Sequence, residues 1–315
     1  MTALLALVIL EMFWRYNGHT PTIVDSPSLW STERAKIGKG TKEIAFIGGS
    51  RLQADVNVET LGSLLPEYSI SFLPINGTCP NEVLFDLSRD SKFTGTVVCD
   101  ITEDCILRGE EELSQLSYVK YYNDVYNFNS FLNRAIENFF QERTVLLDPH
   151  VSIAKVLGEL RLKKRIRQPR YWTILKNRNL LYDFTKINIM DYRQHKLQKS
   201  DSLYRSIAHR LSPETFSKSV YKLSRATSLI EKRGGKVIFV RLPVSEEHWE
   251  LDEAMFPPTV YWEFFVKTVN APIIHYRNTK NLKQFKCPDS SHLDKRSTIV
   301  FTQVFIQLLR DRHIL

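Results

Sequence analysis

Cysteine is scarce, with four in 315 residues at positions 79, 99, 105 and 287. No CxxC pair and no metal-ligand spacing occurs among them, which leaves no cysteine-ligated metal site. Cys99 lies inside an apolar run and reads as an inert core thiol. The other three fall beside expected strand ends, where an oxidising compartment permits a disulfide that sequence alone does not pair. Internal repeats and long low-complexity stretches are absent. The charge is not acidic: 43 Lys and Arg against 35 Asp and Glu give a formal +8, which favours anionic partners. No zinc finger, RNP signature or interleaved aromatic platform accompanies that charge, so nucleic acid is not the expected partner. Its densest stretches, "RLKKRIRQPR" at 161–170 and "KLQK" beginning at Lys196, read as solvated helix faces. Such a face meets an anionic polymer through a screened field.

Nor does any apolar run reach the roughly 20 residues of a full membrane span. The longest, "MTALLALVILEMFW", lacks the basic start and small-residue cleavage site of a signal peptide. Residues 1–16 are read as a membrane anchor or signal-like segment, a span clipped at its start, with Trp14, Arg15 and Tyr16 at the interface. The rest of the chain is then expected outside the cytoplasm, in a periplasm or at a cell surface. Residues 17–42 are turn-rich, then form a short helix ending in glycine, and read as a linker or collar.

Beyond the collar, short apolar runs alternate with helical patterns. Strands are expected at 43–47, 68–73, 95–101, 235–243 and 272–276, with helices near 54–64, 80–89, 258–268 and 294–312. This is the rhythm of an α/β fold, a three-layer doubly wound (flavodoxin-like) parallel sheet. Residues 106–234 interrupt it as a mostly helical insertion. Within them "YVKYYNDVYNFNSFLNRAIENFFQER" carries an aromatic stripe expected to be a helix-packing surface. Ligands of an open parallel sheet collect beyond the carboxyl ends of its strands. That edge would gather Ser50, Asn76 and Gly77, the segment after Ile101, Arg241 and the 286–292 loop.

Two of these segments hold reactive residue types. "AFIGGSRL" ends an apolar strand in Gly48 and Gly49, then places Ser50 at the start of a helix. "CPDSSHLD" sets Asp289 three residues before His292, just ahead of the last helix. A serine needs a base to become nucleophilic, and the base needs an orienting group. The two segments supply all three roles from opposite ends of one sheet. Asp294 is the other acid near the histidine, and it is expected to serve the start of the last helix.

The order Gly-x-Ser, then an Asn-Gly turn after strand two, then Asp-x-x-His resembles the SGNH (GDSL-like) hydrolase superfamily over roughly 43–315. "HTPTIVDSPSLW", "IGGSR" and "PDSSHLD" look like a bacterial membrane-anchored group of it, akin to envelope D-alanylation and polysaccharide O-acetylation proteins. The resemblance implies Ser50 as nucleophile, His292 as general base and Asp289 as its partner. Gly77 would join Ser50 in holding the oxyanion; the motif match assigns no role to Asn76, whose side chain is a further candidate donor. It implies a serine esterase or O-acyltransferase acting on acyl (acetyl) esters of a carbohydrate or anionic envelope polymer, without cofactor or metal. A membrane-bound acyltransferase would be a partner. Two departures stand out: "GGS" replaces the usual GDS, and "CDITEDC" supplies no asparagine donor after strand three, only Thr102 and acids. A catalytically silent accessory protein that binds an envelope polysaccharide is the alternative.

Overall fold

Runs of apolar and β-branched residues place seven strands among the described residues, β1 (Glu43–Ile47), β2 (Ser69–Phe72), β3 (Thr96–Asp100), β4 (Trp172–Ile174), β5 (Leu180–Tyr182), β6 (Lys236–Arg241) and β7 (Ile273–His275). In the computed structural model, which describes residues 2–315 apart from 41, 109–112, 164–166 and 208–211, five of them form one sheet in the order β2-β1-β3-β6-β7. Every pairing in that sheet is parallel. Successive side chains of a strand face opposite ways, so a strand covered on both sides reads as an unbroken apolar run. On one face Ala45, Ile47, Val97, Cys99, Val237 and Phe239 share a core with helices Asn81–Arg89, Pro213–Glu231 and Trp262–Thr268. On the other, Ile44, Phe46, Val98, Ile238 and Val240 meet Leu61 of helix Val58–Leu64 and Phe301, Phe305 and Leu309 of helix Thr298–Asp311.

The collar is packed against this sheet. Trp30, in helix Pro27–Arg34, is fully buried and its indole N–H donates to the Leu73 carbonyl at 3.0 Å. Arg34 clamps Asp86 at 2.7 Å and Asp90 at 2.8 Å. At the amino end, helix Thr2–Tyr16 leaves most of its apolar side chains exposed. No helix among the described residues is long and apolar enough to cross a membrane.

Several local expectations change. The single helix near 54–64 is two, Ser50–Asp55 and Val58–Leu64, because Asn57 caps the second by accepting the Thr60 N–H at 2.9 Å. Segment 106–234 carries helices and also the antiparallel ribbon β4-β5, whose three-residue strands are too short to show a period. The aromatic stripe divides: Tyr118 and Tyr122 pack edge-on against Trp30, while Phe128, Phe131, Phe139 and Phe140 point outward. Neither basic stretch is only a solvated face. Arg167 pairs with Glu159 and Arg170 with Asp148, each at 2.9 Å, while the Lys163 side chain and residues 164–166 lie outside the described residues. Lys196 turns inward.

The loops at the carboxyl end of the sheet are tied covalently. Cys79, after β2, is bonded to Cys105, after β3, with 5.1 Å between their Cα atoms. Cys99 and Cys287 are free and buried.

Candidate active site

Ser50 occupies the first turn of its helix directly behind β1. A Cβ on Gly49 would lie 2.6 Å from the Thr78 carbonyl oxygen, so the residue before the serine must lack a side chain. At the far end of the chain, Asp289 shapes its own loop: Oδ1 accepts the N–H groups of Ser291 at 3.0 Å and His292 at 2.7 Å. Between them Ser290 adopts φ +85°, a left-handed conformation that non-glycine residues rarely hold outside constrained sites. Its carbonyl accepts the Ser245 N–H at 2.8 Å, and its hydroxyl lies 3.2 Å from His248 Nδ1.

The two segments meet. His292 Nε2 lies 2.9 Å from Ser50 Oγ, and His292 Nδ1 lies 2.9 Å from Asp289 Oδ2. The Tyr182 ring of β5 packs against the imidazole with centroids 4.7 Å apart, which restrains its plane.

One further group enters from the segment between β3 and β6. Lys196, in helix Ile189–Ile207, places Nζ 2.5 Å from Asp289 Oδ2 and 2.6 Å from His292 Nδ1. Nδ1 cannot donate to Asp289 and accept from Lys196 at once. When its proton goes to Asp289, the Nε2 lone pair faces Ser50 and Lys196 serves the carboxylate alone. That tautomer is the one that removes a proton from Ser50. Burial and the neighbouring Lys196 charge push His292 down to about 4. Burial works upward on Asp289, but His292 and Lys196 outweigh it and hold the carboxyl well below the usual carboxylate range. Near neutral pH the pair is therefore a neutral imidazole beside an ionised carboxylate.

A cavity of about 510 Å³ opens over Ser50 and His292. Asn76 and Gly77 border it from the turn after β2, where Gly77 has φ +74° and both residues are exposed. The N–H groups of Ser50 and Gly77 have no backbone acceptor among the described residues, so both remain able to donate. Thr102 does not take the place of an asparagine donor, because its hydroxyl donates to Asp104. Asp104, which lines the cavity, is also paired with Arg108 at 3.3 Å, and buried Glu103 is paired with Arg241 at 3.3 Å, so each acid has a cationic partner.

Arg241 reaches this end of the sheet but is buried. It contacts Glu103 and Asp252 and does not line the cavity. Arg51 and His248 do line it, with Arg51 Nη2 3.0 Å from His248 Nε2. Burial and the Arg51 charge push His248 well below the ordinary histidine range. Asp294 lies ahead of the last helix, which begins at Thr298, so it does not cap that helix. Instead it accepts the Phe184 N–H and the Arg296 N–H, each at 3.1 Å. Tyr182 and His248 carried no local signal in the sequence, and Lys196 and Arg51 showed only as a basic residue of "KLQK" and as the residue after Ser50, since each acquires its partners from a distant segment. No protein-family model and no curated protein matches this chain.

Proposed function

We propose that the protein is an SGNH-type serine esterase or O-acyltransferase acting on acyl esters of a carbohydrate or envelope polymer. The observation that carries this reading is the unbroken relay Ser50–His292–Asp289 at 2.9 Å and 2.9 Å, opening onto the cavity. Ser50 Oγ attacks the ester carbonyl while its proton passes to His292 Nε2. The N–H groups of Ser50 and Gly77, with the Asn76 side chain, face the developing oxyanion. The imidazolium returns the proton to the departing alkoxide, leaving an acyl-serine. Water or an acceptor hydroxyl then displaces the acyl group by the same path in reverse.

The strand order supports a doubly wound, flavodoxin-like arrangement with 106–234 as its insertion, since the site falls at the carboxyl ends of β1 and β3. The Cys79–Cys105 bond supports an oxidising, extracytoplasmic location, and the exposed apolar helix Thr2–Tyr16 supports attachment to a membrane. A membrane-bound acyltransferase would be the partner that supplies the acyl group.

The test is turnover of p-nitrophenyl acetate by the full chain, with labelling by a fluorophosphonate probe. Ser50→Ala and His292→Ala should each abolish both, and the double variant should lose no more than either alone. Wild-type turnover no higher than that of Ser50→Ala would refute catalysis. It would favour the accessory reading, in which the same cavity binds a polysaccharide. The Thr102–Asp104 contact is the observation that supports this second reading, because it leaves the segment after β3 with no free hydroxyl donor for the oxyanion.

A further inference from the structure

The helix Phe128–Gln141 is amphipathic in the wrong sense for water. Its apolar residues, Phe128, Phe131, Leu132, Ala135, Ile136, Phe139 and Phe140, recur at the spacing of one helical face. In a water-soluble domain that face turns to the core. Here it turns out: Phe128 is 73% exposed, Phe139 52% and Phe140 53%. Part of the polar side turns in, around Arg134, Asn138 and Gln141, while Asn129, Asn133 and Glu137 are exposed. Arg134 is 3% exposed and donates to Asn138 at 2.8 Å, Gln141 at 3.0 Å and Ser26 at 3.4 Å. Gln141 accepts the Val24 N–H of the collar at 3.0 Å.

A second apolar surface adjoins it. In helix Thr2–Tyr16, Leu4, Leu5, Val8, Ile9 and Met12 are exposed along one face, and Leu7, Leu10 and Phe13 are exposed on the opposite side. This helix is held to the end of the aromatic one. Glu11 accepts the N–H groups of Val145 at 2.9 Å and Leu146 at 3.1 Å and the Thr144 hydroxyl at 2.7 Å. Arg15 donates to the Arg143 carbonyl at 2.7 Å. At the junction the Arg143 guanidinium lies 3.9 Å over the Phe139 ring. Its charge and that of Arg15 reach solvent, and Tyr16 is 93% exposed.

We propose that the outward face of helix Phe128–Gln141 lies in the headgroup–acyl boundary of a lipid bilayer beside helix Thr2–Tyr16, so that two joined helices orient the protein on the membrane. The inference rests on the reading of residues 1–16 as a membrane anchor. A bilayer is the one occupant whose chemistry matches the whole surface. Its acyl region takes aliphatic and phenyl groups, its boundary takes tyrosine, and its phosphates take arginine. A protein partner seated on the phenylalanines alone would leave the adjoining N-terminal helix in water.

The test uses the full chain bearing one new cysteine, at Phe131→Cys, Leu5→Cys or Lys267→Cys, labelled with an environment-sensitive fluorophore. Cys99 and Cys287 are buried and Cys79 is bonded to Cys105, so the label goes to the new thiol. Phe131 is half exposed, so its replacement leaves the core intact. The protein is bound to vesicles of phosphatidylcholine and phosphatidylglycerol with brominated acyl chains. Labels at 131 and 5 should lose most of their emission and resist iodide, whereas the label at 267 should be quenched by iodide alone. An iodide-accessible label at 131 beside a lipid-quenched label at 5 overturns the inference and leaves the anchor standing. A label at 131 shielded from both quenchers also overturns it, in favour of cover by protein such as a second copy. Labels at 5 and 131 both untouched by lipid would defeat the anchor reading and this inference with it.

Discussion

Replacing Lys196 by Met removes a cation from beside the His292 imidazole, the proposed general base, and should move the acid limb of the pH–rate profile upward. The Lys196 Nζ lies 2.6 Å from His292 Nδ1 and 2.5 Å from Asp289 Oδ2. Burial and this charge lower His292 to about 4 from its ordinary 6.5, while Asp289 opposes them. A like charge at such range disfavours the protonated form by about 1–3 pH units. Because Asp289 shares the Lys196 charge, the lower half of that range applies, about 1–2 units or roughly 1.4–3 kcal/mol. The sign follows from the base needing its neutral form: a raised imidazole value means activity is lost at a higher pH as acid is added. The assay is kcat/KM for p-nitrophenyl acetate between about pH 3 and about pH 8, which reports the base in the free enzyme. Lys196→Met should carry the inflection from about 4 towards the ordinary histidine range, and Lys196→Arg, which keeps the charge, should leave it near the wild-type position. An unmoved inflection in Lys196→Met, with the variant folded, would refute the claim that this lysine tunes the base.

Three further outcomes separate chemistry from stability. Asp289→Asn should cut ester turnover by about 10⁴-fold with the tautomer lost. By contrast, Asp294→Ala should retain turnover but cost about 1–3 kcal/mol in denaturant unfolding, because the Phe184 N–H loses its acceptor. Cys105→Ser opens a bridge across 26 residues and should lower unfolding free energy by about 3–4 kcal/mol, and a reductant should have the same effect on wild type. Asp100 is buried with Oδ1 unpartnered, and burial raises it to about 6 from 3.8. Folding therefore disfavours its charged form, a penalty absent below the unfolded value and complete above the folded one. Asp100→Asn should accordingly stabilise the protein by up to about 3 kcal/mol above about pH 7 and by nothing near about pH 3. Equal melting shifts at both pH values would count against that account.

The sequence by itself determined what short-range chemistry determines. Apolar runs such as Ile44–Ile47 and Val237–Val240 can only be satisfied by cover on both sides, so β1, β3 and β6 were legible before any coordinates. Ser50 behind two glycines and Asp289-x-x-His292 ahead of a helix were legible as a candidate nucleophile and base, because the turn geometry of each segment is a local demand, but their meeting at 2.9 Å came only with the fold. Tertiary structure decided what depends on distant neighbours. Lys196 belonged to a basic tetrad until its helix set it against Asp289, 93 residues away in sequence. Gly49 is glycine because the Thr78 carbonyl passes beside it. The partner of Cys79 was undetermined until the loops after β2 and β3 came together. The stripe of phenylalanines in 128–140 was plain in the sequence, but periodicity gives a helix its apolar face without saying which way that face turns. Only the packing of Arg134 and Gln141 against the collar points it outward.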